Sequence, residues 1–152
     1  MISGVNAKAN VCVEVCDART GRVLRRIRRH NLVVTAGLVL LRDLVYGGTA
    51  TLSHGAVGTD ATPTVAGDTE LVAEVFRDQI SQRLKQPLGS GSLVVRFVVG
   101  SQDANGVTLR EAGLFNAAAG GSMYARAIPE DVVKTDAILV VYTWTLTFTV
   151  AA

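Results

Sequence analysis

The sequence predicts a mainly β protein: an antiparallel β-sandwich with one α-helix near residues 35–46 and an N-terminal β-ribbon arm. Three observations carry this expectation. Aromatic side chains are scarce (Phe 4, Tyr 3, Trp 1 among 152 residues), so valine, leucine, isoleucine and alanine must build the core, and β-branched residues fit a pleated, half-buried surface. Fifteen glycines cut the chain into short segments separated by turn signals. The last segment alternates Tyr142, Trp144, Leu146 and Phe148 with Val141, Thr143, Thr145, Thr147 and Thr149, a period of two that turns the large residues to one face.

Taken in order, residues 1–10 are small and polar without periodicity and are expected to form a flexible N-terminal arm. Residues 11–152 are expected to form a single β-sandwich domain, in keeping with the chain's length. Within it, residues 11–30 read as a β-hairpin. Its loop, Asp17-Ala18-Arg19-Thr20-Gly21, opens on Asp and closes on Gly. The return strand alternates imperfectly, with Val23, Arg25 and Ile27 on one face and Leu24 and several arginines on the other.

Residues 35–46 form the helix, with Thr35 as N-cap, Leu38, Leu41, Leu44 and Val45 as its apolar stripe, and Gly47-Gly48 as its stop. Strands fill residues 52–150. Residues 52–58 make a short strand, and a loop containing Pro63 and Gly67 follows. Asp68 or Thr69 is placed to cap one helical turn running to Glu74, before an extended stretch over 75–86. Residues 93–99 are apolar except for Arg96 and are expected to lie centrally in a sheet. The strand over 107–116, the small-residue turn over 117–122, and strands over 123–128 and 138–150 complete the fold.

Composition narrows the function. With 49% hydrophobic and 18% charged residues, a packed core is expected and extended disorder is not. No apolar run approaches the ~20 residues that cross a bilayer, and the N-terminus lacks a charged start followed by an apolar stretch, so a soluble chain made in the cytoplasm is expected. Cys12 and Cys16 lie ~13 Å apart if they share a strand, beyond the ~7 Å reach of a disulfide, and are expected to be buried free thiols. Two cysteines alone do not make a zinc site, and the only histidines, His30 and His54, stand in no recognisable motif context for a metal or a hydrolase constellation. No glycine-rich phosphate loop is present. The expectation is a protein that is not an enzyme, with no catalytic residue, no metal and no cofactor.

The charge is uneven. Net charge is only +2, yet Arg19, Arg22, Arg25, Arg26, Arg28, Arg29 and His30 crowd one segment. Guanidinium forks suit carboxylates across a protein interface, so Arg22, Arg25, Arg26, Arg28 and Arg29 are the candidate docking residues. A solvated edge that deters strand pairing is the second reading. Nucleic-acid contact is the third, disfavoured because no aromatic residue is interleaved for stacking. A second charged feature is Arg110-Glu111, ahead of Ala112-Gly113-Leu114-Phe115. Adjacent strand positions face opposite ways, so one of the two points at the core, where a charge must be compensated. A structural ion pair fits better than a catalytic acid, with Arg77 or Arg126 as the partner of Glu111.

Four motifs in order carry a resemblance: Thr35-Ala36-Gly37, Ala56-Val57-Gly58-Thr59, Leu71-Val72-Ala73-Glu74-Val75 with Arg77, and Arg110-Glu111-Ala112-Gly113-Leu114-Phe115. Together they resemble the small N-terminal domain of tailed-phage tail-fibre and collar (baseplate-attaching) proteins, over residues 32–149. The resemblance implies a virion structural protein that attaches to other virion proteins of the tail or baseplate, usually as a homotrimer, with no membrane partner. In this sequence the domain is followed by no shaft and preceded by a β-ribbon. Those departures raise a capsid decoration protein, bound to the major capsid protein, as the alternative, with a nucleic-acid-binding module behind it.

Overall fold

The computed structural model describes residues 5–49, 51–86 and 90–150. Eleven strands and one helix follow in the order β1 (Val5–Asp17), β2 (Val23–Val33), α1 (Thr35–Tyr46), β3 (His54–Gly58), β4 (Glu74–Gln79), β5 (Gln82–Lys85), β6 (Ser92–Val99), β7 (Thr108–Leu109), β8 (Glu111–Phe115), β9 (Met123–Ala127), β10 (Val132–Val133) and β11 (Ile138–Val150). Nine strands form one antiparallel sheet in the order β4-β3-β8-β9-β2-β1-β11-β6-β5, and β10 pairs with β7 in a separate ribbon. The chain is mainly β with one helix, as its sequence predicts.

The sheet curls because two segments each serve both of its halves. The first part of β2 pairs with β1, whereas Leu32 and Val33 pair with Arg126 and Ala125 of β9. On the other side, β4 runs into β5 across only Ile80 and Ser81. Their N–H groups donate to Ser53 O and Arg96 O, both at 2.8 Å. Residues 74–85 are thus one extended segment that pairs with β3 in its first half and with β6 in its second. A strand that switches partners through a bend is how packed β-layers turn a corner. Between the layers, Val57 and Leu114 from one half join Val13, Val95, Phe97, Tyr142 and Trp144 from the other in one core cluster. Phe97 and Tyr142 stack there with ring centroids 4.9 Å apart.

Several expectations need correction. Residues 1–4 of the expected arm lie outside the described residues, and from Val5 onward the arm is strand, paired with β11 residue by residue from Val5↔Val150. Alternation in β11 supplies the reason: its long, half-buried surface needs a neighbour as long as itself. The helix has the predicted bounds, but Val34 is its N-cap and makes no side-chain cap. Thr35 is the first helical residue, its N–H bound to Ala66 O at 2.9 Å. The buried face of α1 is Gly37 and Leu40, flanked by half-buried Leu41 and Leu44, while Leu38 and Val45 face out. Gly37 sets that rotation: a Cβ there would overlap the Tyr124 carbonyl, so only glycine lets the helix settle on β9. Gly47 ends the helix at φ 118°, as expected of a C-terminal glycine.

No helical turn forms between Asp68 and Glu74. The N–H groups of Val72 and Ala73, which a helix start would leave open, are instead taken by the Glu111 carboxylate. Strand β6 is not central: it lies between β11 and β5 near the end of the sheet. Its apolar run reflects a buried inner row, Val95, Phe97 and Val99, with Val94 and Val98 half-covered outside. The strand expected over 107–116 is broken at Arg110, whose N–H leaves the ladder to bond Gly58 O at 2.8 Å. The hairpin loop behaves as read: the Asp17 carboxylate accepts the N–H groups of Arg19 and Thr20 at 2.9 and 2.8 Å. These bonds hold its acid below the usual carboxylate range, the Thr20 bond foremost.

Candidate functional site

Two charged constellations stand out, one inside and one outside. The inner one is built on β8, all five residues of which are buried between β3 and β9. Glu111 is fully buried. Its Oε1 accepts the Ala73 N–H at 2.7 Å and its Oε2 the Val72 N–H at 3.0 Å. From the other side, Arg126 Nε and Nη2 donate to Oε2 at 3.0 and 2.9 Å. Arg126 also donates through Nη1 to Asp68 Oδ2 at 3.1 Å, and its Nη2 lies 4.0 Å from Asp60. A buried carboxylate is tolerated when hydrogen bonds and a cation surround it, and here they do. Gly58 makes room, since a Cβ at that position would strike the Glu111 carboxylate and Ala73 O.

Of the two expected partners, Arg126 is therefore the cation of Glu111. Arg77 has another task. It lies over the Phe115 ring at 3.7 Å, chelates Glu74 at 2.6 and 3.1 Å, and donates to Ala117 O and Gly120 O at 3.0 and 2.9 Å, so it fastens the small-residue turn. Arg110 and Glu111 do not pair with each other. Arg110 faces outward, with Nε donating to Asp131 Oδ2 at 3.2 Å, because adjacent strand residues point to opposite faces. The buried network ties the segment around Val72 and Ala73 and the side chain of Asp68 to β8 and β9.

The outer constellation is the arginine strand. The register sends Arg25, Ile27 and Arg29 to one face of β2 and Arg26, Arg28 and His30 to the other. Arg25 and Arg29 reach the Glu130–Asp131 loop: Arg25 Nη2 donates to Glu130 Oε2 at 2.7 Å and its Nη1 to Asp131 O at 2.8 Å, and Arg29 Nη2 pairs with Glu130 Oε1. The two guanidinium groups, Arg25 first, hold the Glu130 acid below the ordinary glutamate range. Arg26 chelates Glu14 at 2.7 and 3.1 Å, a pairing that raises the arginine's own pKa. Three of the five candidate docking residues are thus engaged within the chain. Arg22 and Arg28 are exposed. Arg28 lies in a row with Cys12, Thr143 and Arg96 across β2, β1, β11 and β6, and Arg28, Cys12 and Thr143 with Asn10, His30 and Thr145 line a shallow depression on the outer face. His30 Nδ1 and Asn10 Oδ1 are 2.6 Å apart on its floor.

The remaining candidates stay apart. His54 opens β3 and touches Ser53 Oγ at 2.7 Å. Cys12 is half-buried, Cys16 is buried, and both are free thiols; burial raises Cys16. No cluster of His, Cys, Asp or Glu suited to a metal ion occurs among the described residues, and no helix among them is long and apolar enough to cross a membrane. Sequence reasoning missed Asp68, Glu130 and Asp131 as partners. Asp68 reads as a helix cap in the sequence, and Glu130 and Asp131, though exposed, bind arginines far along the chain. Comparison with known protein families, with curated proteins and with solved structures yields no match for this chain.

Proposed function

We propose that the protein is a non-enzymatic, multi-copy structural component of a tailed-phage particle, a tail, baseplate or collar piece that docks onto other virion proteins. The observation that carries this reading is the direct bonding of motifs far apart in sequence. The Leu71–Val75 motif gives its Val72 and Ala73 N–H groups to Glu111 of the strand motif. Gly58 of the second motif leaves the space that Glu111 fills, and Gly37 of the first lets α1 close over Tyr124. The four motifs that resemble the tail-fibre and collar domain are therefore one interlocked scaffold. A scaffold signature of this kind goes with a domain whose task is to hold a shape and present a face.

The face presented is the outer side of the β2-β1-β11-β6 sheet, where Arg28 and Arg96 stand among Thr143, Thr145, Asn10 and His30. Cations among short polar side chains suit a carboxylate-bearing protein partner. Arg22 extends the same charge toward the hairpin loop. Arg25, Arg26 and Arg29 contribute through the geometry they fix rather than through free charge. The test is incorporation into particles: Arg22→Glu with Arg28→Glu, neither of which forms an ion pair among the described residues, is expected to leave folding intact and abolish incorporation. Normal incorporation of that variant removes the docking role from this face.

A further inference from the structure

Beneath α1, at the end of the curled sheet, lies an open-mouthed cleft of about 290 Å³. Leu40, Leu41 and Leu44 roof it, and Leu93, Leu146 and Phe148 form much of its floor. Its polar lining is Thr51, Tyr124 and Arg83. Tyr124 is almost wholly buried, and its hydroxyl has no hydrogen-bond partner among the described residues. Arg83, exposed on β5, stands at the rim, and no acidic side chain lines the cleft. Arg83 makes no ion pair among the described residues.

A mainly apolar wall with a cation at its rim and no acidic side chain asks for an occupant that is apolar along its length and carries an anionic head. An anionic head suits Arg83 at the wet rim, where its charge is not stripped of water. Size sets the length. A dry apolar cavity of about 150 Å³ holds benzene's six carbons, so this cleft has room for roughly twelve non-hydrogen atoms. We propose that the cleft under α1 is a binding site for a medium-chain aliphatic monocarboxylate, its tail between α1 and β11 and its carboxylate at Arg83. The site is separate from the docking face and does not depend on the virion assignment.

The test uses the full chain titrated calorimetrically with sodium decanoate, decanol and decyltrimethylammonium, each below its micelle concentration. Trp144, the chain's only tryptophan and two residues from Leu146 on the same face, gives a second readout by fluorescence. Decanoate is expected to bind saturably, decanol more weakly and the ammonium compound weakest. Arg83→Gln, an exposed edge-strand change that leaves the core untouched, should weaken decanoate about fivefold and leave decanol unchanged. Leu44→Trp, which fills the cleft, should abolish binding of all three while cooperative unfolding is retained. No saturable binding at millimolar decanoate, equal affinity for decanoate and the ammonium compound, or unchanged decanoate affinity in Arg83→Gln would each overturn the proposal.

Discussion

Replacing Arg126 with methionine removes the guanidinium from Glu111 while keeping much of the apolar stem that fills the space. Two charge-assisted bonds to Glu111, at 2.9 and 3.0 Å, disappear together with the 3.1 Å bond to Asp68. Glu111 stays fully buried, supported only by the Val72 and Ala73 N–H groups. Removing one partner of a buried pair costs about 3–5 kcal/mol, within the about 3–6 kcal/mol that two bonds to charged groups at about 1.5–3 kcal/mol each would give. For a chain of this size each kcal/mol shifts Tm by about 2–4 °C, so a fall of about 6–20 °C is expected. Urea unfolding followed by circular dichroism measures it directly, with the slope m unchanged if the native state keeps its compactness. The double variant Arg126→Met with Glu111→Leu should be less destabilised than the sum of the two single changes, because no charge is then left buried alone. A single-variant loss under about 1 kcal/mol, the level of an exposed pair, or strict additivity in the double variant, refutes the buried-fastener argument.

Other outcomes follow from the same geometry. Gly58→Ala, which presses a methyl group on the Glu111 carboxylate and Ala73 O, should cost about 1–3 kcal/mol in the same unfolding assay. Trp144→Ala and Leu114→Ala, both at fully buried positions, should cost about 3–5 and 2–5 kcal/mol; losses near zero would show that the core is elsewhere. Glu130 has a folded pKa lowered by Arg25 and Arg29, so its contribution is present above the unfolded value near about 4.3 and fades as pH falls through the lower folded one. Wild type and Glu130→Gln should accordingly differ in stability at neutral pH and converge in acid. Burial raises Tyr124 to about 12 and raises Tyr142 as well. Protons favour the folded state there, so stability should fall as pH rises from about 10 toward the folded values, with most tyrosinate absorbance appearing only as the chain unfolds.

Strands and helix were legible where local pattern and tertiary context agree. The alternation from Tyr142 to Phe148 fixes both the faces and the length of β11, and Gly47 fixes the end of α1. Context that lies far along the chain was not legible. Asp68 has the chemistry of a helix cap, but Arg126, 58 residues on, claims its carboxylate. The stripe Leu38, Leu41, Leu44, Val45 is a sound helical period, yet the close approach of Gly37 to Tyr124 rotates α1 toward Leu40 instead. Arginines on β2 looked free because Glu130 lies 101 to 105 positions away. That Arg110-Glu111 would split between faces was legible from the two-residue period alone. Choosing Arg126 over Arg77 required the register of β8 on β9, in which Gly113 stands opposite Arg126.

The most direct test of the central claim is the copy number of this chain in particles purified from the genome that encodes it, measured by quantitative mass spectrometry against the major capsid protein. Tens of copies per particle are expected, lost in the Arg22→Glu, Arg28→Glu variant. Several hundred copies would move the protein to the capsid surface, and its absence from particles would contradict a structural role in the virion.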